Sequence, residues 1–250
     1  MGWFYNLLFI WIFIGICTFI YLIFSKTIAP YGRHSTSKWG ISIDNRRGRF
    51  WIELPALVLM PVIVLISPVQ KNEIIILILS LWILHYFYRT ILFPMKLRTT
   101  GKKIPIVIVI SAFVFNLFNG FFVGYEIGYL SQEFNFGINT IIGAVIFLSG
   151  MYINRSSDNK LISLRKENKE YQIPQGGMFK YISCPNHFGE IIEWFGFAII
   201  VFNIGALSFA FWTAFNLIPR AMNHHNWYKK SFVEYPKDRK AVIPFYFKLL

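Results

Sequence analysis

The sequence predicts an all-α polytopic membrane protein with seven transmembrane helices, its N-terminus outside and its C-terminus cytosolic. Composition is the first observation: 55% of the 250 residues are hydrophobic and only 15% are charged, whereas soluble domains carry about 25% charged residues. The second is a series of apolar runs, several as long as the roughly 20 residues that a membrane helix needs. The third is the distribution of basic residues between these runs. We therefore expect one integral-membrane domain covering 1–250.

The predicted spans follow the apolar runs in chain order. The last run, 188–217, is too long for one span, and Gly205 within "FNIGAL" offers a break that divides it into two short helices. The segments 155–187 and 218–250 are predicted as cytosolic loops. The seven spans lie near 4–24, 50–67, 73–93, 104–130, 138–154, 188–203 and 205–217.

The basic residues predict the orientation. With the N-terminus outside, the inner segments hold every Lys and Arg except Lys71 and Arg89, and Arg89 lies near the inner end of the third span. Such asymmetry is what the positive-inside rule expects. The net charge of +13 therefore reflects topology, and we expect no nucleic-acid partner. A bacterial inner membrane and the endoplasmic reticulum both fit, with the active site opening to the cytosolic side.

Several ionisable side chains fall within the spans, where insertion scales assign about 2.5–3.5 kcal/mol to each buried charge. Glu53 in "FWIELP" begins the second span, where the helix dipole alone also accounts for a carboxylate. "LHYFYRT" places Tyr86 and Arg89 three residues apart on one helix face, although an aromatic residue there is also compatible with simple packing. Glu190 and Glu193 share a face of the sixth span. Such residues usually face a cavity.

Polar residues also recur at helical spacing near the inner ends of the spans, where a solvated amphipathic helix is the simpler interpretation. One set follows the fifth span and another follows the seventh. The first set is Asn154, Asp158, Leu161 and Arg165, and the second is Arg220, His224 and Tyr228.

Motif searches narrow the chemistry. The sequence has no G-x-G-x-x-G, Walker A or H-E-x-x-H motif. Its five histidines are too scattered for a di-iron site, and His187 with Glu190 is a weak metal signal, so we predict no metal. The remaining Asn, Arg, Asp and Tyr side chains suit a large anionic cofactor with phosphate, ribose and amide groups. An apolar substrate would then enter from the lipid.

A series of blocks in the chain resembles the steroid 5α-reductase (3-oxo-5α-steroid 4-dehydrogenase) family. In order they are "YGRHS", "IELP", "LHYFYRT", "MYINRSSD", "LRK", "YQIPQGGMFKYISCPNHFGEIIEW", "NHHNWY" and "YPKDRKAVIPF". The resemblance extends from about Tyr31 to Phe247, and the long block around "IPQGG" is the most specific. It implies a seven-helix membrane enzyme that uses NADPH to saturate the 4,5 double bond of 3-oxo-Δ4 steroids. The predicted cytosolic loops 155–187 and 218–250 would then close over the cofactor.

The resemblance also implies roles for matched positions. Glu53 and Tyr86 would be the catalytic pair that binds the 3-keto oxygen while hydride is transferred to the enone β-carbon. Phe93, Leu97 and Ser111 depart from the mammalian pattern, which has polar or basic groups there. We expect a monomer whose partners are the bilayer and a steroid or similar apolar enone. The predicted NADPH-binding residues are Tyr31, Arg89, Asn154, Asp158, Leu161, Arg165, Tyr171, Asn186, Glu190, Arg220, His224 and Tyr228.

Three alternatives remain open at this point. A related membrane reductase would act on a trans-enoyl thioester, a polyprenol or another sterol double bond. A membrane methyltransferase of the isoprenylcysteine type keeps a comparable polar block, but the order Pro185-Asn186-His187 fits it poorly. A non-catalytic carrier or scaffold would have little use for the intramembrane Glu53 and Arg89.

Overall fold

The computed structural model describes residues 1–25, 39–97, 101–131, 133–167 and 171–244, and these are mostly helical. Each predicted apolar run forms a helix, and the last run forms two. The α-helices are α1 (Gly2–Phe24), α2 (Asn45–Ile66), α3 (Glu73–Phe87), α4 (Phe93–Lys96), α5 (Ile106–Tyr125), α6 (Ile138–Glu167), α7 (Pro185–Val201) and α8 (Ile204–Ser231).

A short antiparallel strand pair, which the all-α prediction missed, joins the starts of α2 and α5. Strand β1 (Ser42–Asp44) pairs with β2 (Lys103–Pro105). The Asp44 side chain then caps α2, accepting from the backbone N–H groups of Arg46 and Arg47 at 2.9 and 3.2 Å. Both helices therefore start from a common fixed edge.

Five helical segments among the described residues are long and apolar enough to cross a membrane. The predicted break in the last apolar run exists, but it falls before Gly205. Phe202, at φ 51°, ends α7, and the Asn203 side chain caps α8 by accepting from the Ala206 N–H. The five segments are Gly2–Phe24, Asn45–Ile66, Glu73–Lys96, Ile106–Leu130 and Ile138–Arg165.

Two helices extend well beyond the predicted spans. Helix α6 continues to Glu167 and α8 to Ser231, so 155–187 and 218–250 begin as helix where loops were predicted. Hydropathy marks only the apolar part of a helix, whereas backbone hydrogen bonding continues as long as the polar residues keep helical spacing. The extensions carry those polar faces beyond the apolar region.

Glycines let α6 and α7 pack backbone against backbone. A Cβ placed on Gly150 would lie 2.5 Å from the Gly189 carbonyl oxygen, and a Cβ on Gly189 would lie 2.5 Å from the Asn154 nitrogen. Gly143 and Gly196 meet in the same way seven residues away. Small residues at helix interfaces in membranes permit this close approach. The contact brings the polar residues of α6 next to those of α7.

Two π-helical turns interrupt the longer helices. The first, Tyr88–Leu92, joins α3 to α4 and contains Arg89; the second, Glu126–Leu130, extends α5. Turns of this type are often found at functional sites, because they displace a side chain from regular α-helical register.

Aromatic rings fill the centre between α3, α7 and α8. The Trp82 ring lies 5.2 Å from Trp194 and 5.4 Å from Phe197, and Trp194 lies 4.6 Å from Phe209 in an edge-to-face contact. Trp82 also donates from Nε1 to the Ala56 carbonyl of α2 at 2.7 Å. This aromatic cluster packs next to the polar site residues described below.

Candidate active site

Two adjoining cavities lie between the helices. The larger, of about 210 Å³, is lined mainly by polar residues of α2, the first π turn, α6, α7 and α8, with Phe93 and Leu97 of the α4 region. The smaller, of about 120 Å³, is lined by residues of α2, α3, α5, α7 and α8 together with Arg89 of the first π turn. Both cavities share the wall residues Arg89, Glu190, Leu217 and Arg220.

Arg89 is the centre of a charge network in this shared wall. Its guanidinium lies 3.6 Å from Glu53, 3.5 Å from Asp158 and 3.9 Å from Glu190. Their side chains are 5–16% exposed, so water screens these charges weakly. Three carboxylates from α2, α6 and α7 therefore converge on one cation from the first π turn.

Hydrogen bonds between α6 and α7 fix two of these carboxylates. Asn154 donates from Nδ2 to Glu190 Oε2 at 3.2 Å and to the Asn186 carbonyl oxygen at 2.9 Å. Asn186 donates in turn to Asp158 Oδ1 at 3.1 Å. The glycine contact between the two helices makes these short distances possible.

The predicted catalytic pair faces the smaller cavity. Glu53 and Tyr86 both line it, together with aromatic residues of the central cluster. Tyr86 is only 3% exposed, and its ring is held 4.9 Å from Trp82 and 5.5 Å from Trp194. The carboxyl and the phenol thus border a common space, with the phenol on a fixed ring.

Most predicted cofactor-binding residues line the larger cavity. Asn154 does not line this cavity, but it donates hydrogen bonds to Asn186 and Glu190, which do. Tyr171 lies beside it, where it receives a hydrogen bond from Lys102 Nζ at 3.3 Å and carries the Arg165 guanidinium 5.5 Å above its ring. Tyr31 lies outside the described residues. The lining members are Arg89, Asp158, Leu161, Arg165, Asn186, Glu190, Arg220, His224 and Tyr228.

Sequence reasoning missed Arg49, which also lines the larger cavity. Its guanidinium lies 5.3 Å from the Phe93 ring centre, and that of Arg89 lies 5.0 Å from the same ring. The sequence signal that could have indicated Arg49 is its spacing from Glu53, four residues away on the same helix face. Phe93, a departure from the mammalian pattern, provides an aromatic surface for the two cations.

The other two departures have different surroundings. Leu97 is buried at the edge of the larger cavity. Ser111 is exposed and donates to the Val107 carbonyl of its own helix at 2.7 Å. Only Phe93 and Leu97 can therefore touch a ligand in the larger cavity.

His85 and Glu193 form a second polar contact that the sequence did not reveal. His85 lines the smaller cavity, and its Nδ1 shares a hydrogen bond of 2.7 Å with Glu193 Oε1. Both side chains are buried. Helical spacing rules relate residues within one helix, so a contact between α3 and α7 leaves no local signal in the sequence.

The larger cavity has the character of an anion site. Arg49, Arg89, Arg165 and Arg220 meet there, and guanidinium groups bind phosphates with matching fork geometry. Asn and Asp side chains supply partners for amide and hydroxyl groups. No group of three or more His, Cys, Asp or Glu that could hold a metal occurs among the described residues.

Comparison with known proteins identifies the family. The family model described as 3-oxo-5-alpha-steroid 4-dehydrogenase matches residues 102–247. The chain is 40% identical over 245 residues to steroid 5-alpha-reductase DET2 of Arabidopsis thaliana, covering 94% of this chain and 93% of the relative. The chain belongs to the steroid 5α-reductase family. The resemblance predicted from the sequence is confirmed, and the chain is an oxidoreductase of this family.

Further relatives extend the match across kingdoms. Steroid 5-alpha-reductase DET2 of Solanum lycopersicum is 38% identical over 225 residues, covering 87% of each chain. The 3-oxo-5-alpha-steroid 4-dehydrogenase 1 of Rattus norvegicus is 36% identical over 245 residues, covering 92% of each chain. These steroid 5α-reductase relatives match this chain over nearly their whole length, so both cavities lie within a shared architecture.

Proposed function

We propose that this enzyme uses NADPH to reduce the 4,5 double bond of 3-oxo-Δ4 steroids. The observation that carries the proposal is the pair of adjoining cavities with one shared wall. The larger is rich in arginine and suits a dinucleotide, and the smaller is aromatic with a phenol and a carboxyl for a ketone. The names of the rat and other mammalian relatives, which specify 3-oxo-5-alpha-steroids, support this choice.

The residues of the larger cavity fit NADPH in charge and in hydrogen-bonding capacity. When bound, the cofactor supplies the hydride that the β-carbon of the enone accepts. Arg49, Arg165 and Arg220 would hold its phosphates. Asn186 and Glu190, near the shared wall, would orient the nicotinamide amide beside the smaller cavity.

Tyr86 and Glu53 would bind the ketone oxygen of the steroid. Negative charge develops on this oxygen as the β-carbon is reduced, and a fixed donor stabilises that charge in the transition state. The Tyr86 hydroxyl would donate to the oxygen, while Glu53 orients it or donates as the neutral acid. The rings of Trp194 and Phe209 would exclude water from the reacting atoms.

We also propose the complete topology: seven spans, with α7 and α8 as the sixth and seventh, an external N-terminus and a cytosolic C-terminus. The larger cavity lies at the end of the bundle that carries the inner basic segments. NADPH would therefore enter from the cytosol and the steroid from the lipid. The exposed apolar side chains of α1, such as Phe9 and Phe13, would contact lipid of a bacterial inner membrane or the endoplasmic reticulum.

Purified protein in detergent tests this function directly. NADPH oxidation would be followed with a 3-oxo-Δ4 steroid, a trans-enoyl thioester and a polyprenol, and the reduced product identified by mass. We expect turnover with the steroid, and a large loss in Glu53→Gln. Preference for the thioester or polyprenol would instead indicate a related reductase. Consumption of S-adenosylmethionine without NADPH oxidation would indicate a methyltransferase.

A further inference from the structure

A buried acid–base pair borders the smaller cavity beside the ketone-binding residues. His85 Nδ1 and Glu193 Oε1 are 2.7 Å apart, and the two side chains are 5% and 0% exposed. Such a distance is typical of a charge-assisted hydrogen bond. The second oxygen, Glu193 Oε2, is buried without a hydrogen-bond partner among the described residues. His85 is thus the hydrogen-bonding partner of this carboxyl within that part of the chain.

The imidazole is fixed so that its other nitrogen is left for the cavity. The ring of His85 packs edge-to-face on Tyr86 at 5.0 Å and on Trp194 at 4.6 Å. Nδ1 is engaged by Glu193 on the α7 side, while the ring itself lines the smaller cavity. Nε2 is therefore the atom available to a ligand there. A carboxylate that holds the tautomer and orientation of an imidazole is a recurring catalytic arrangement.

We propose that His85, positioned by Glu193, donates the proton that the α-carbon of the steroid needs to complete the reduction. This inference rests on the proposed function. The α-carbon is bonded to the ketone carbon, so a donor adjacent to Tyr86 along the wall is within reach of it. His85 precedes Tyr86 in α3, and the two rings touch.

With His85 as the proton donor, the protons and electrons of the reduction balance. Hydride adds to the β-carbon and brings two electrons, the carbon–carbon double bond shifts toward the ketone carbon, and an enolate forms on the ketone oxygen. The enolate then takes the proton from His85 Nε2 at its α-carbon, giving the saturated ketone. The imidazole becomes neutral, keeps its Nδ1–H bond to Glu193, and regains a proton from water after product release.

Other ionisable groups that face this cavity are committed elsewhere. Tyr86 and Glu53 bind the ketone oxygen in the proposed function. Arg89 is held by three carboxylates, and Glu190 accepts from Asn154. Arg220 would hold the cofactor phosphates in the proposed function, which leaves His85 among the ionisable residues of the described cavity wall.

The test is the stereochemistry of deuterium at the α-carbon. Wild type and His85→Gln would reduce a 3-oxo-Δ4 steroid in deuterated water, with early quenching and analysis by NMR. We expect wild type to place the deuteron on one face. We expect His85→Gln to lower kcat by about 10²-fold with little change in the affinity for NADPH, and to give deuterium on both faces because bulk water replaces the fixed donor.

Glu193→Gln separates positioning from donation, and Glu126→Gln is its matched control. Both variants remove a buried intramembrane carboxylate, but Glu126 lies outside both cavities. We expect Glu193→Gln to lower kcat and shift its pH profile, and Glu126→Gln to leave kcat and stereochemistry unchanged. An active His85→Gln with full kcat and one-face deuteration overturns the inference. Wild type that does not reduce the steroid overturns the proposed function itself.

Should His85→Gln not fold, as judged by NADPH binding, His85→Asn provides the same readout. One-face deuteration at wild-type kcat in every folded His85 variant overturns the inference. Mixed deuteration in a folded His85 variant supports it.

Discussion

The two π turns of this protein hold buried charge in opposite ways. In Tyr88–Leu92, Arg89 borders both cavities and is shared by three carboxylates. In Glu126–Leu130, Glu126 is 2% exposed. It accepts a hydrogen bond from the Tyr5 hydroxyl at 3.2 Å and another from the backbone N–H of Gly205.

The difference lies in what surrounds each charge. The Glu126 carboxylate closes the start of α8, where a helix has unsatisfied N–H groups, and it ties α1 to that point. Arg89 instead faces space that a ligand can occupy. An intramembrane charge therefore points to chemistry when it borders a cavity, and to architecture when other parts of the fold seal it.

Removing the charge of Arg89 should have the largest effect. Arg89→Met leaves Glu53, Asp158 and Glu190 without their cation, and breaking a buried ion pair costs about 3–5 kcal/mol. We expect the free energy of unfolding to fall by that order and NADPH affinity to be lost. Chemical denaturation in detergent and cofactor titration measure the two effects. Arg89→Lys, which keeps the positive charge but lacks the forked guanidinium group, should retain more stability and more NADPH affinity than Arg89→Met. An Arg89→Met protein of wild-type stability would contradict the charge network.

Tyr86→Phe should separate chemistry from folding within the same region. Loss of one preorganised donor costs about 10²–10³ in turnover, and the ring still packs on Trp82 and Trp194. We expect kcat to fall by that factor while NADPH affinity and thermal stability stay near wild type. Steady-state kinetics and fluorescence titration check this. Unchanged turnover would remove the phenol from the reaction.

Gly189→Ala should disturb the site through packing alone. The new Cβ would meet the Asn154 nitrogen at 2.5 Å, and overpacking costs about 1–3 kcal/mol. We expect lower stability and weaker NADPH binding, since Asn154 must move. Gly120→Ala is the matched control, because its nearest atom, Leu59 Cβ, is 3.5 Å away. Equal effects of the two substitutions in the melting and binding assays would argue against the α6–α7 contact as the source.

Glu126→Gln should affect stability but not turnover. The amide still accepts from Gly205, but a charge-assisted bond becomes a neutral one, and we expect a loss of about 1 kcal/mol. Thermal melting and steady-state kinetics on the same sample check both parts. A fall in kcat at saturating cofactor would contradict the structural role assigned to Glu126 and its contrast with Arg89.

Acidification should destabilise the protein through a residue near the end of α8. Burial, with Lys229, Lys240 and Arg239 nearby, lowers the pKa of His225 to about 4, and its Nδ1 lies 2.6 Å from Ser183 Oγ. The unfolded chain, with a pKa near 6.5, binds the proton more readily. Stability should therefore be full above pH 6.5 and decline as the pH falls toward 4. Melting temperatures across this range should show a smaller slope in His225→Gln.

Much of the helical order could be predicted from the sequence, because apolar runs report directly on burial in lipid. The family blocks also predicted site roles for Tyr86, Glu53 and Arg89, and all three line the smaller cavity. Hydropathy placed loops where α6 and α8 continue, because polar residues on a helix give no hydropathy signal, although the helical spacing of these polar residues already indicated helix. Residues such as His85, which meets Glu193 across two helices, depend on tertiary packing that no local spacing contains.

The backbone contact between α6 and α7 has a consequence for how this enzyme can diverge. Where side chains separate two helices, an enlarged residue on one is accommodated by a smaller residue on the other, and sequences drift in compensated pairs. At Gly150 and Gly189 nothing smaller is available to exchange. Substitutions that reshape the smaller cavity are therefore expected on α5 and α8, which also border it, while the glycine contact between α6 and α7 stays fixed.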